Sequence, residues 1–398
     1  MPAQDDEEQG QVFVDESDII HEVDVDEEDL PDADDEDDTE NIEDTDDSIH
    51  IFTGHTGELY AVACSPTDPV LVATGGGDDK GFLWKIGHAD WASELRGHTD
   101  SVSSLAFSSD GQLLASGGFD GLVKVWDTFG NYKRTLEGPG GGIEWIRWHP
   151  KGHLILAGSE DCTAWMWNAD NGKCLNVFSG HGAIVTCGDF TPDGKTICSG
   201  SEDATLRIWN PRSGESIHVV RVIFFSVGHP YHTEGLTCLS ISSDSTLAIT
   251  GSKDGSVHIV NITTGKVVSS CSSQTGSTDG NPESIECVSF APNFLWAVFG
   301  GMDQNLTIWD LQNSSPRFIC NHEEGVTCLA WLGASKFLAT GCCDGRIRIW
   351  NCLSGECIET FKGHEHAIQS LAVSSNLEFL DSVSMDGTAR VFEIRDFC

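Results

Sequence analysis

The sequence predicts an all-β fold, a closed ring of eight short four-stranded sheets. Three observations point to it. The stretch from Ser179 to Asn210 reads as three strands parted by tight turns. It has a Gly-His pair, an alternating apolar run (Ile184, Val185, Cys187, Phe190), a Pro-Asp-Gly turn at 192–194, a Ser-Gly-Ser-Glu-Asp turn and a closing Ile208-Trp209-Asn210. The stretch recurs, with closing residues Trp84, Trp126, Trp167, Trp209, Val260, Trp309, Trp350 and Phe392 spaced by 42, 41, 42, 51, 49, 41 and 42 residues. An Asp stands six residues before every one of them: Asp78, Asp120, Asp161, Asp203, Asp254, Asp303, Asp344 and Asp386. A sheet this small cannot bury both faces alone, so the copies must stack on one another.

Taken in order, the chain of 398 residues begins with a polyanion. Residues 1–48 hold 24 carboxylates and no Lys or Arg, out of a net charge of −41 for the whole chain. Residues 1–47 lack the apolar side chains needed to offset ordering entropy, which predicts a disordered acidic tail. It acts either as a solubilising segment or as a lure for a basic client. The ring spans 48–398. Ile49-His50-Ile51-Phe52 precedes the first Gly-His pair with no unit of its own, and the last unit ends with too few residues for a fourth strand. Residues 48–53 are therefore expected to supply that strand and close the ring, which removes both open edges.

The period, the Gly-His openings and the Trp-Asp or Trp-Asn endings resemble the WD40 repeat, four strands to a propeller blade. The resemblance implies an eight-bladed propeller in which a His, a Ser or Thr, the Asp and the Trp of a blade share hydrogen bonds. Complete sets are His55-Thr74-Asp78-Trp84, His98-Ser116-Asp120-Trp126, His181-Ser199-Asp203-Trp209 and His322-Thr340-Asp344-Trp350. Blade 5 keeps His232, Thr250 and Asp254 but ends in Val260. Blade 8 keeps His364, Ser382 and Asp386 but ends in Phe392. Blades 3 and 6 keep Asp161 and Asp303 and lose both the His and the hydroxyl, with Ala157 and Phe299 in the hydroxyl position. Losing both together is consistent, because a half-satisfied buried network is costly. Eight near-copies of a His-Asp-Ser set around a ring are scaffolding, not triads.

Two intervals are long. The segments 218–231 and 269–284 read as loops at blade edges, the first including the apolar run Val219–Phe225, the second rich in Ser, Thr and Gly. The 15 cysteines lack C-x-x-C spacing and read as buried thiols of a cytosolic protein. Neither a membrane-spanning stretch nor a secretory leader is expected, and the expected location is the cytoplasm, with the nucleus open. Phosphate loops, metal clusters and nucleophile elbows are missing from the sequence, so no cofactor and no enzymatic activity are expected.

Charge then points to a partner. On one face of the ring lie the loop after each Gly-His pair, the second residue of the inner strand and the residue before the repeated Asp. Those positions hold eleven acids: Glu58, Asp100, Glu144, Glu160, Glu202, Glu234, Glu283, Glu286, Glu323, Glu324 and Glu365. Lys253 is their one base. Setting the repeated Asp residues aside, the rest of the ring is nearly neutral, and Lys151, Lys173, Lys195, Arg212, Lys266 and Arg317 fall in turns of the other face. A rim of carboxylates over a channel focuses field and suits an Arg/Lys-rich segment; nucleic acid and anionic membranes are repelled. Phe119 and Trp145 lie near the same face, placed for cation–π contacts, although Trp145 is equally suited to packing between blades.

Blade 3 (Ile143-Glu-Trp-Ile-Arg-Trp-His-Pro, Leu156-Ala-Gly-Ser-Glu-Asp, Trp165-Met-Trp167), the acidic leader and the eight repeats together resemble the angio-associated migratory cell protein family and its fungal counterpart. The resemblance implies a monomeric chaperone whose acidic face holds the basic N-terminal segment of a large-subunit ribosomal protein until ribosome assembly. Two alternatives stay open: a signalling or migration-related scaffold, and a general binder of histones or other basic proteins.

Overall fold

Eight four-stranded antiparallel sheets make up the ring; seven have their strands in sequential order, and the eighth sets His50–Phe52 beside the last three strands. The computed structural model describes residues 45–221, 231–272 and 283–397. The expected acidic tail lies outside them up to residue 44, as do residues 222–230 and 273–282 of the two long loops. The inner strands are Leu59–Cys64, Val102–Phe107, Ile143–Trp148, Cys187–Phe190, Leu236–Ile241, Ile285–Phe290, Val326–Trp331 and Ile368–Val373 in blades 1 to 8. Each packs beside the next, and that of blade 8 packs beside that of blade 1, so the ring is closed.

Closure depends on a strand from the other end of the propeller. His50–Phe52 pairs antiparallel with the last strand, Ala389–Glu393, in the register His50↔Val391, Ile51↔Arg390, Phe52↔Ala389. Just upstream, the Ile49 N–H donates to the Val391 carbonyl at 2.8 Å and the Asp47 N–H to the Lys362 carbonyl at 3.0 Å. The Arg390 guanidinium pairs with the Asp46 carboxylate.

The core lies between blades. Asp381 of blade 8 apart, the second strands are continuous apolar or small-residue runs, such as Leu71–Gly76, buried along its whole length because a blade packs on both faces. Outer strands such as Glu356–Phe361 form the rim and are mostly exposed. Leu59 and Trp84 of blade 1 share a cluster with Val383 and Val391 of blade 8; Leu83 and Leu95 share another with Val102 and Trp126 of blade 2.

Buried His–hydroxyl pairs brace blades 1, 2, 4, 5, 7 and 8. In blade 2 the Trp126 Nε1–H donates to Ser116 Oγ (2.9 Å). The Ser116 hydroxyl lies 2.8 Å from His98 Nε2, and His98 Nδ1 lies 3.0 Å from Asp120 Oδ2. Burial, the largest influence on His98, holds its pKa down, so the ring is a neutral relay that accepts from Ser116 and donates to Asp120. Blades 1 and 4 repeat the chain through His55-Thr74-Trp84 and His181-Ser199-Trp209. His364 of blade 8 bonds Ser382 and Asp386, and Phe392 fills the Trp position.

Blade 7 departs from its expected set. His322 Nε2 and Trp350 Nε1 both meet Thr340 Oγ1, but His322 Nδ1 lies 3.2 Å from the Cys320 carbonyl and does not reach Asp344. Arg348 has taken that carboxylate, at 2.6 Å. Blade 3 closes differently again: the Trp167 indole N–H donates to the Glu137 carbonyl at 3.2 Å.

Blade 5 repairs its missing Trp. Tyr231 occupies the place before His232 that is Gly in blades 1, 2, 4 and 8, and its hydroxyl lies 3.1 Å from Thr250 Oγ1, the atom a Trp would have reached. The ring is 4% exposed. Replacing Tyr231 with Phe removes that bond alone, while His232 keeps Thr250 satisfied at 2.8 Å. The expected loss is about 0.5–1.5 kcal/mol, read as a lowered urea midpoint with an unchanged slope.

Candidate partner-binding mouth

The same backbone hydrogen bond recurs in all eight blades. The residue before the repeated Asp donates its N–H to the carbonyl just before the inner strand: Gly77 to Glu58, Phe119 to Ser101, Glu160 to Gly142, Glu202 to Ile184, Lys253 to Gly235, Met302 to Ser284, Cys343 to Gly325 and Met385 to Ala367, at 2.8–3.1 Å. In six blades the Asp also accepts the N–H at the start of the opening loop: Thr56, Thr99, Gly140, Gly182, Thr233 and Glu365, at 2.7–3.1 Å. Burial opposes the charge on Asp203, yet the His181, Thr205 and Gly182 hydrogen bonds outweigh it and hold the carboxyl well below the usual range. These bonds fix two loops side by side at one end of every blade, so the side chains they carry encircle the mouth of the channel.

The eleven acids are distributed unevenly around that mouth. Glu144 is half-buried; burial first, then the charges of Glu160 and Glu202, push its carboxyl up. Those three, on blades 3 and 4, form one cluster. Glu160 accepts the Gly142 N–H at 2.9 Å and remains exposed. On blades 6 and 7, Glu286 and Glu324 both act on the Cys343 thiol, whose pKa is raised chiefly by burial. Glu58, Asp100, Glu234 and Glu365 stand exposed in their own loops, and Glu283 is half-buried. Tyr60 donates to Glu58 at 3.3 Å.

Two members are neutralised from within, which the charge pattern did not reveal. Lys253 Nζ lies 2.7 Å from Glu202 Oε1 across the blade 4–5 boundary. Arg346 and Arg348 lie 3.1 and 3.6 Å from Glu323 Oε2. Both arginines follow Asp344 closely in sequence, just beyond the turn, and reach back over it.

Trp145 needs correction as a partner-binding residue. It is 5% exposed, its Nε1–H donates to the Val185 carbonyl of blade 4 at 2.8 Å, and its ring lies against Gly158 and Gly188. A Cβ at either glycine would fall within about 2.4 Å of the indole, so the pocket exists only because both side chains are missing. The bond does a job that hydroxyls do elsewhere. Thr186 and Thr327 reach the first inner-strand carbonyl of the next blade at 2.6 and 2.5 Å, and Ser103 and Thr237 make the same contact. Because Trp145 links blade 3 to blade 4, the residue before it is free to be Glu144. Phe119, by contrast, is 38% exposed.

At the other end of the ring, charges are paired locally. His153 bridges Asp110 and Asp170 at 2.9 and 2.7 Å, and these hydrogen bonds raise its pKa. Lys195 pairs with Asp193, Lys85 with Asp68 and Lys133 with Asp127 at 2.8–3.1 Å. Among the described residues, no cluster of three or more His, Cys, Asp or Glu side chains could hold a metal ion, and no helix is long and apolar enough to cross a membrane.

A closed ring of eight four-stranded blades, braced by His–hydroxyl–Trp relays and presenting loops instead of a reactive cleft, defines a WD-repeat propeller, a class of generally non-catalytic scaffolds. The chain belongs to the WD40 family: the WD domain, G-beta repeat, matches residues 46–85, 91–127, 130–168, 172–210, 222–261, 272–310, 314–351 and 355–393. It is homologous to angio-associated migratory cell protein, with 33% identity over 355 residues to the Homo sapiens protein, covering 87% of this chain and 80% of that one. An uncharacterized WD repeat-containing protein of Schizosaccharomyces pombe is 28% identical over 353 residues, 87% of each chain. Among solved structures, Chaetomium thermophilum Sqt1 bound to the N-terminus of the ribosomal protein L10 superposes with a TM-score of 0.79 at 23% identity, over 88% of this chain and 100% of that one. Saccharomyces cerevisiae Sqt1 superposes with a TM-score of 0.76 at 21% identity, over 88% and 99%. At these identities the likeness establishes the shared fold.

Proposed function

We propose that the protein is a dedicated chaperone that captures the basic segment of a newly made large-subunit ribosomal protein at its acidic mouth and holds it for ribosome assembly. It works in the cytoplasm as a monomer. The observation that carries the proposal is the Glu144–Glu160–Glu202 cluster at the mouth, where burial first and then the charges of Glu160 and Glu202 push the Glu144 carboxyl up, with Lys253 paired to Glu202. A further cation would relieve the repulsion that Lys253 leaves between Glu144 and Glu160. A desolvated Arg–carboxylate pair contributes about 1.5–3 kcal/mol, and the field over the channel accelerates capture. The fold shared with an Sqt1 bound to the L10 N-terminus adds support from an independent direction.

Titration calorimetry of the full chain with purified ribosomal protein L10 tests this. A 1:1 complex is expected at about 0.1 M salt, weakening steeply as salt screens the charges. A Glu144→Gln/Glu160→Gln double variant should bind at least about tenfold more weakly, with a shallower salt dependence. No complex at low salt, or a double variant that binds unchanged, would reject the proposal. Equal retention of a histone tail peptide would replace a dedicated chaperone with a general binder of basic proteins.

A further inference from the structure

The eight residues pinned before the repeated Asp make a ring of their own, and it is divided. Blades 3, 4 and 5 contribute Glu160, Glu202 and Lys253. The five that follow around the circle, blades 6, 7, 8, 1 and 2, contribute Met302, Cys343, Met385, Gly77 and Phe119. Not one of these five carries a charge. Three are large apolar side chains left in solvent: Met302 and Phe119 are 38% exposed and Met385 is 39% exposed. Where blade 1 has no side chain at 77, the Tyr60 ring lies over the gap, its hydroxyl 3.0 Å from where a Gly77 Cβ would stand. Neighbours along this arc meet across glycines. Met302 Sδ and Cys343 Sγ lie 2.7 and 3.5 Å from the Cβ position of Gly325. At the junction with the acidic arc, Phe119 Cδ1 and Glu160 Oε2 lie 2.8 and 2.9 Å from that of Gly142, so an aromatic edge and a carboxylate flank one point.

An apolar arc continuous with a carboxylate arc is not what a pure polyelectrolyte site needs. Solvent-exposed methionine gains nothing from a lysine-only chain and adapts to irregular apolar shapes. We infer that the mouth reads a two-part segment: cationic side chains over blades 3 and 4, and aliphatic or aromatic side chains over the arc from Met302 through Met385 to Phe119. The inference rests on the chaperone function proposed above and specifies its client. Charge supplies the encounter and the apolar half supplies retention, since salt screens the first and leaves the second.

The test uses the full chain and two peptides: the N-terminal segment of ribosomal protein L10, about 20 residues long, and a copy with its aliphatic and aromatic residues replaced by serine. At about 0.3 M salt the parent peptide is expected to bind at least about tenfold tighter than the serine copy. Met302→Ser/Met385→Ser, with Phe119→Ser as an independent second arm, should abolish that preference and leave the salt slope unchanged. Glu160→Gln should flatten the slope and keep the preference. If the parent protein holds both peptides equally, or the serine variants keep the preference, the apolar arc has no such role while the acidic mouth stands. If neither peptide binds the parent protein at any salt, both proposals fall together.

Discussion

Replacing Trp145 with alanine is expected to destabilise the propeller by about 3–5 kcal/mol, the usual range for emptying a fully enclosed aromatic site. For a ring of this size that lowers the melting midpoint by roughly 4–7 °C. The reason is geometric. Gly158 and Gly188 leave a slot that only the indole fills, and its N–H is the bond from blade 3 to the Val185 carbonyl of blade 4. Blades 2, 4, 5 and 7 staple themselves to their neighbours with a serine or threonine at the preceding position, where blade 3 has Glu144. Alanine therefore leaves both a cavity and an unpaired carbonyl. Trp145→Phe separates the two effects: it keeps most of the volume, loses the hydrogen bond and should fall between. Calorimetric melting of the three proteins checks the order, and equal midpoints would show that blade 3 is held some other way. Client affinity should drop in the alanine variant as well, because Trp145 anchors the strand that carries Glu144.

Replacing Asp381 with alanine should do the opposite and stabilise the protein. Asp381 is the third residue of the blade 8 second strand. The equivalent residues are Ala73, Ala115, Leu156, Cys198, Ile249, Val298 and Ala339. Its carboxyl is fully buried at the seam between blades 8 and 1, with Oδ2 accepting from the Cys64 thiol at 3.1 Å and Oδ1 without a partner. Burial pushes its pKa up to about 7 from an ordinary 3.8, with the Cys64 bond opposing slightly. The folded state therefore holds the proton more tightly than the unfolded chain. Stability from this group is greatest below the unfolded pKa and is lost as pH rises from about 4 to about 7. The span corresponds to on the order of 4 kcal/mol. At pH 8 Asp381→Ala should melt several degrees higher than the parent, with little difference near pH 4. Urea titrations at the two pH values measure this directly. A variant less stable at pH 8 would mean that the carboxylate has a stabilising partner at the seam.

Much of the architecture can be read from short-range pattern. Aspartates six residues before each closing position count the blades, and Gly-His pairs mark where the opening loops of blades 1, 2, 4 and 8 begin. Placing the acids at one end followed from the same arithmetic, because a residue just before the Asp is tied to the residue just before the inner strand in every copy. The relay in blade 7 looks complete in sequence, but Arg348, a single residue inside the third strand of that blade, diverts its Asp. A signal for the blade 5 repair was present: a Tyr replaces the Gly of the Gly-His pair in a blade whose closing Trp is Val260. Recognising it requires knowing that position 231 points into the Trp site.

By itself the sequence determined the repeat and the number of blades, because each depends on spacing within one copy of about 42 residues. The tertiary structure alone decided which side chains meet across copies. Trp145 reaches Val185 and is thereby removed from solvent, Lys253 neutralises Glu202, and Asp381 is sealed against Cys64 from 317 residues away. Such contacts depend on the angle and separation of neighbouring blades. A period along the chain fixes which residue faces the gap, but the packing of two curved sheets fixes what it finds there.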